Sequence, residues 1–362
     1  MILHRLFFRN ICIFLGLFLT CNAVVWHGVT RDLRSGARPG YGDLARLGYM
    51  AGIISFTGQA RELPRRHIEM DEYHGQPVDM VTIGDSFSNG GGFGPNQYYQ
   101  DYIASNNGLT VLNVEPFKNL DFVTQAAIYT NNGFLGRIKP RYLLLSSTAK
   151  YCVERFSGPV DFERSLSAEE LRSHKTYGFR HRPEQDSVQI PENMFRFINE
   201  GNFKFLLFSV YYYFSDHAFF SKTYRKTLDR PFFSGNREKT LLFYRDDLKN
   251  IPFATPDAVN AINDNLNRLA DRLAAKGIQL VFMPVVDKYD LYFEHILDNR
   301  YPRNKFFDML RPLPKRYRFI DTKAALEKEV REGEKDLFFV DDTHWTWKAS
   351  QRLFETEKFP VK

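Results

Sequence analysis

The chain has 362 residues, 43% of them hydrophobic and 25% charged, enough to bury a full core and too many for one simple small domain. Its net charge of +6 is spread along the sequence and not gathered in one block, which excludes a basic nucleic-acid arm and suits acidic glycans or a membrane surface. Three cysteines, two of them in the apolar amino-terminal run, indicate no disulfide framework.

His4, Arg5 and Arg9 precede an apolar run from Ile11 to Trp26 whose polar members are Thr20 and Asn22. This pattern, residues 1–28, reads as a signal anchor or signal peptide, with the positive flank leaving the rest of the chain outside the cytoplasm. At about 1.5 Å per residue the run barely spans a bilayer. Cys21-Asn22-Ala23 offers a small-residue cleavage site, yet the uncleaved anchor is the favoured reading. Residues 29–75 are mixed and rich in Arg and Gly, with a short apolar stretch around Met50–Phe56, and show no recognisable chemistry.

The strand-length run Val78–Ile83 then ends abruptly in Gly84-Asp85-Ser86-Phe87-Ser88 and a Gly90-Gly91-Gly92 loop. Glycine at a strand end tolerates unusual φ and close packing, and a serine just beyond it is exposed where open α/β sheets bind ligands. By itself the tripeptide is more often an ordinary turn or helix cap. A helix near Tyr98–Ala104, a strand at Leu109–Val114, helical sequence over Asp121–Ile138 and a strand at Pro140–Ser146 follow. Alternating strands and helices imply a parallel sheet covered on both faces, so residues 76–160 form the first half of an α/β domain.

Residues 161–250 break the pattern and read as an aromatic and basic insertion, including Phe203–Phe208 and Val210–Phe214. Such rings either stack on sugars as a glycan-binding lid or fill a small satellite core. The α/β pattern resumes over 251–362. Thr255-Pro256 caps a helix with apolar residues at Val259, Ile262, Leu266, Leu269 and Leu273, closed by Gly277. A strand over Ile278–Val286 leads to Asp287-Lys288-Tyr289. A short strand at Tyr317–Ile320 and a helix at Lys323–Arg331 precede the apolar run before Asp341-Asp342-Thr343-His344-Trp345.

A nucleophilic serine needs a base, and the base an orienting carboxylate. Among nine histidines, His344 has Asp342 two residues before it and follows the final apolar segment. Asp341 is the competing carboxylate. Asp341, Asp342 and His344 also have the types of metal ligands, but no His or Cys cluster supports a metal, and no cofactor is expected.

Gly84-Asp85-Ser86-Phe87 and Asp342-Thr343-His344-Trp345 resemble the SGNH (GDSL-type) hydrolase superfamily, and more narrowly the alginate O-acetyltransferase group of polysaccharide acetylation proteins. The Lys288-Tyr289 segment is similar to a lysine-tyrosine block of that group. The resemblance spans roughly residues 76–160 and 251–355 and implies a three-layer α/β domain with a central parallel sheet. It further implies Ser86 as nucleophile, His344 as general base and acid, and Asp342 as its orienting group. Gly84, Asp85, Arg155, Lys288, Tyr289 and Trp345 become oxyanion or substrate-binding candidates. The function implied is O-acetylation of an extracellular or periplasmic polysaccharide by a protein at a bacterial inner membrane. Acetyl groups would come through a membrane-bound O-acyltransferase.

Two departures qualify the resemblance. In the alginate group the Asp-x-His block precedes the serine block, whereas here serine comes first, as in SGNH esterases. The oxyanion-hole asparagine has no counterpart after the third strand, where Glu154-Arg155 resembles the acetylation group and equally suits a structural ion pair. A carbohydrate acetylesterase and a non-catalytic glycan-binding protein remain as alternatives.

Overall fold

The computed structural model describes residues 2–35, 41–92, 94, 96–178 and 196–360. Residues 179–195 of the expected insertion lie outside the described residues. The strands among the described residues are β1 (Ile68–Glu69), β2 (Met80–Gly84), β3 (Val111–Val114), β4 (Tyr142–Thr148), β5 (Thr223–Thr227), β6 (Thr240–Tyr244), β7 (Gln279–Val285) and β8 (Arg318–Phe319). Every residue of β2, β3 and β4 is buried. Continuous burial rather than alternation is what a parallel sheet covered on both faces imposes.

Six strands form that sheet in the order β1-β3-β2-β4-β7-β8, all pairs parallel. From β2 the chain first moves outward to β3 and then crosses back to β4. The carboxyl end of β2 is therefore a topological switch point, where diverging loops leave a crevice. Helices Tyr99–Asn107, Thr322–Glu332 and Trp347–Thr356 pack together as one layer, and Phe122–Asn131, Ala149–Phe156 and Pro256–Ala274 as the other. The result is the mixed α/β architecture with a central parallel sheet that the sequence pattern predicts.

Local chemistry accounts for the element ends. Thr255 accepts the Ala258 N–H and Pro256 opens the long helix, while Asp121 caps the helix at Phe122. The expected helical stretch Asp121–Ile138 is two helices, Phe122–Asn131 and Phe134–Ile138. Gly133 at φ 72° turns the chain between them.

The final apolar segment before Asp341 forms no ladder. It is an irregular loop with one bridge, Phe338 to Trp345. Outside the main sheet, β5 and β6 form an antiparallel hairpin. The two aromatic runs of the insertion are successive turns of one helix, Glu200–Phe214. Phe208 and Tyr212 of that helix join the core, whereas Phe203, Tyr213 and Phe214 stay exposed. The leading segment also contributes structure: β1 adds to the sheet edge beside β3, and helix Asp43–Gly48 packs on the hairpin.

At the amino terminus one helical run, Leu3–Leu33, is long and apolar enough to cross a membrane. Its carboxyl end is docked on the body, with Trp26, Thr30 and Leu33 buried.

Candidate active site

Ser86 sits in the turn that leaves β2, half-buried between buried neighbours. The turn is closed locally: the Ser86 carbonyl accepts the N–H of Asn89 at 3.1 Å and of Gly91 at 2.7 Å, and Asp85 O accepts the Ser88 N–H. A Cβ on Gly84 would lie 1.9 Å from Ser88 Oγ and 3.0 Å from Ser146 O. Close approach of the Ser88 side chain, and then of β4, and not an unusual φ, is therefore what requires glycine there. Gly91 is hemmed in by the acid–base loop, since a Cβ would fall 2.3 Å from His344 Nε2.

The acid–base loop meets this turn directly. His344 Nε2 lies 2.8 Å from Ser86 Oγ, and His344 Nδ1 lies 2.6 Å from Asp342 Oδ1, which also accepts the His344 N–H at 2.9 Å. Ser86, His344 and Asp342 thus form one continuous hydrogen-bonded chain across 258 positions of sequence. Phe87 packs on the imidazole with ring centres 4.8 Å apart, and Trp345 closes edge-on against Phe87.

Asp342, and not Asp341, is the carboxylate that faces the imidazole. Burial pushes the Asp342 carboxyl up, but the His344 charge and hydrogen bonds from His344 and the Asp43 amide outweigh burial and hold it well below the usual carboxylate range. Burial likewise works against protonated His344, yet Asp342 and then Asp43 and Asp85 carry its pKa above the ordinary value. Asp341 instead accepts the Gly42 N–H at 2.9 Å and the Ser55 hydroxyl.

Those contacts expose a group that the sequence pattern does not reveal. Asp43, in the leading segment read as free of chemistry, donates its N–H to Asp342 Oδ2 at 2.9 Å and accepts the Thr343 N–H at 2.7 Å. Burial first, and the neighbouring Asp342 charge second, push its carboxyl up to about 7. Its contacts lie about 300 positions away in sequence, so no short-range signal marks it. A Cβ on Gly42 would come within 2.4 Å of Asp341 O, which fixes glycine at the point where the leading segment crosses the loop.

The remaining expected site residues lie behind this face. The Asp85 carboxylate accepts the Phe87 N–H, the Thr148 N–H and Arg155 Nη1 at 2.6 Å, so it staples the serine turn to the end of β4. Arg155 thus pairs with Asp85 where its neighbour Glu154 was the expected ion-pair partner, and it stacks over Tyr151. Lys288 is 1% exposed and donates to the carbonyls of Phe339, Val340 and Asp342. Burial, partly offset by the nearby carboxylates, lowers its pKa to about 8. The Tyr289 hydroxyl donates to Pro302 O at 3.0 Å, and its ring packs on Phe243. Trp345 is 2% exposed. Gly84, Asp85, Arg155, Lys288, Tyr289 and Trp345 are thus placed as supports beneath or beside the loops.

Beneath the serine turn, Asn89 donates to the carbonyls of Gly84 and Asp85, both at 2.8 Å, and accepts from Asn113. Both buried asparagines are thereby committed to the support of the turn. Among the described residues the Ser86 N–H has no protein acceptor, which leaves it available to a developing oxyanion. The network continues to His67, held between Asp101 at 2.6 Å and Glu69 at 3.0 Å. Burial opposes its charge, but those two carboxylates raise its pKa to about 9.

Asp43, Asp342 and His344 each offer a ligand atom within 4.8 Å of the others. Both ring nitrogens of His344 and both oxygens of Asp342 are already engaged in hydrogen bonds.

No curated protein matches the chain. Residues 239–354 match the family model described as SGNH hydrolase-like domain, acetyltransferase AlgX. The matched span begins one residue before β6 and includes Lys288, Tyr289, Asp342, His344 and Trp345, whereas Gly84, Asp85, Ser86 and Arg155 lie outside it. Residues 239–354, about a third of the chain that contributes two strands to the parallel six-stranded sheet, are therefore similar to the SGNH hydrolase-like domain of that acetyltransferase family, and the match supports an acetyltransferase-type function in general.

Proposed function

We propose that this protein transfers acetyl groups to hydroxyls of an extracellular or periplasmic polysaccharide through a covalent Ser86 ester. The observation that carries this reading is the chain Ser86 Oγ to His344 Nε2 at 2.8 Å and His344 Nδ1 to Asp342 at 2.6 Å. In the first half-reaction His344 accepts the Ser86 proton as Oγ attacks the acetyl carbonyl. The tetrahedral anion collapses, and the donor's leaving oxygen takes the proton from His344. In the second, a sugar hydroxyl gives its proton to His344 and attacks the acyl-serine, and His344 then returns the proton to Ser86 Oγ. Asp342 holds the imidazole in the tautomer that presents a bare Nε2 to the serine.

Water in place of sugar gives an acetylesterase. That second reading is favoured by one observation, the serine-before-histidine order. The docked end of the amino-terminal helix supports an uncleaved membrane anchor: Asn22, inside the cleavage motif, accepts from Asn202 at 3.0 Å, a contact that processing would remove. The acetyl donor then arrives from a membrane-bound O-acyltransferase, with the catalytic face outside the cytoplasm.

The test is incubation of the full chain with an aryl acetate, with and without candidate oligosaccharides, read by intact-mass spectrometry. The expected outcome is a one-acetyl adduct on the protein and on the glycan, both lost in Ser86→Ala. An unchanged reaction in Ser86→Ala would overturn the serine mechanism, and deacetylation with every acceptor would leave the esterase.

A further inference from the structure

We propose that the aromatic helix Glu200–Phe214 and the turn after it lie in the headgroup region of an anionic bilayer. The protein would then meet the membrane through two elements and not through its amino-terminal helix alone. This inference rests on the reading of that helix as an anchor.

The aromatic helix has two apolar faces, and the fold uses one. Gly201, Asn202, Phe208 and Tyr212 are buried. On the other side Phe203 is 66% exposed, Val210 60%, Tyr213 82% and Phe214 81%, with Leu206 also exposed. Positions 203, 206, 210, 213 and 214 follow helical spacing, so they form one outward stripe. Phe219 and Phe220 extend it into the following turn. A contiguous apolar surface of this kind marks a contact and is not ordinary surface composition.

The stripe begins where the anchor arrives. Asn202 donates to the Asn22 backbone carbonyl and side chain, and Thr30 donates to Asn202. Between the two helices runs a groove of about 660 Å³ lined by Phe14, Leu17 and Phe18 on one side and Ile198, Phe203 and Leu206 on the other. The anchor residues facing this groove belong to the segment that would be surrounded by acyl chains, so the exposed stripe is continuous with a lipid-facing surface.

Length and side-chain type set the depth. Fifteen residues at about 1.5 Å each give roughly 22 Å, short of the ~30 Å hydrocarbon core, so the helix lies along the interface. Tyr211 and Tyr213 have the amphipathic rings that settle at headgroup level. Lys222, two residues past Phe220, and Arg237, which shares a cleft with Tyr213 and Phe214, are exposed cations at its edge. Stacking on a glycan would need hydrogen-bonding groups along the stripe; Ser209, Asp216, Arg225 and Arg237 flank Tyr213 and Phe214 at one end, whereas Leu206 and Val210 in mid-stripe offer none. Through the Tyr212 hydroxyl on Thr223 O, and Thr223 Oγ1 on Leu44 O, the helix is tied to the Asp43–Gly48 segment that contacts Asp342. Bilayer contact would therefore set the orientation of the serine site above the membrane.

The full chain, reconstituted in nanodiscs of phosphatidylethanolamine and phosphatidylglycerol doped with a diazirine-acyl phospholipid, is irradiated and its adducts mapped by peptide mass spectrometry. Two clusters are expected, within residues 2–25 and within 203–220. A Val210→Gln, Tyr213→Gln, Phe214→Gln variant with unchanged Tm should lose the second cluster by about fivefold or more and keep the first. Adducts in the first cluster alone would overturn this inference and leave the anchor standing, and absence of both would overturn both readings. Cross-links from 203–220 to a second copy or to another protein in place of lipid would likewise overturn it.

Discussion

The two loops that meet at the candidate site are held in opposite ways. The serine turn is held largely from nearby: Ser86 O bonds the next few amides, Asn89 reaches back to Gly84 and Asp85, and the Asp85 carboxylate ties to the adjacent strand end. The acid–base loop has little regular structure of its own and is pinned from far along the chain, by Gly42, Asp43 and Ser55 on one side and Lys288 on the other. A turn that carries its own hydrogen bonds keeps its shape wherever the strand delivers it. A loop supported from elsewhere depends on three other segments for its geometry, and each can be perturbed without touching Ser86.

The largest effect is expected where the two loops touch. Gly91→Ala forces a methyl toward His344 Nε2, so acyl transfer should fall on the order of 10²-fold while far-ultraviolet dichroism and Tm stay near wild type. Acyl-enzyme formation at the wild-type rate in that variant would show that the glycine loop yields instead of the imidazole. Lys288→Met tests the distant support. It strips a charged donor from three buried carbonyls, and about 2–3 kcal/mol of unfolding free energy should be lost in denaturant titrations. Unchanged stability would mean that the loop holds itself.

The same contrast decides what could be read from sequence. The strands, the capped helix at Thr255 and the Gly84-Asp85-Ser86 turn are governed by neighbours within a few residues, so burial runs, caps and glycine announce them. Asp342-Thr343-His344 is legible because its two partners sit two apart. Asp43 is not, because its role exists only after residues about 300 positions apart are brought together. Lys288 and Tyr289 show the opposite failure. Residues at the carboxyl edge of a strand can point down into the body as readily as into the crevice, and the motif does not say which. Phe203 and Tyr213 share a helix with Phe208 and Tyr212, and composition cannot tell the inward stripe from the outward one until the register is known.

The underside of the serine turn offers a milder perturbation, through pH. His67 is expected to titrate near 9 in the folded protein against about 6.5 unfolded, so the folded state binds the proton more tightly. Its contribution is complete below the unfolded value and is lost as pH rises through the folded one. Between pH 7 and pH 9 about 2 kcal/mol of stability should disappear. His67→Gln, which cannot titrate, should flatten that slope, and an equally steep slope in the variant would assign the loss to another group.

The smallest effect, and the most specific to the acid–base loop, concerns Asp43. Its carboxyl is placed near 7 by burial and by Asp342, so above that pH it adds negative charge beside the imidazole and helps to raise the His344 pKa. Catalysis needs neutral His344 as base, so activity should climb as pH rises through that raised value. In Asp43→Asn the charge is gone but the backbone N–H to Asp342 remains. His344 then gives up its proton more readily, and the ascending limb of the pH–rate profile for aryl acetate cleavage should move to lower pH. At a pH just below the wild-type limb the variant would be a few-fold faster. Asp341→Asn, which alters a carboxylate turned away from the ring, should leave the limb in place. If both variants shift it equally, the field at His344 is a property of the whole acidic loop, and the distinct placement of Asp43 has no bearing on proton transfer.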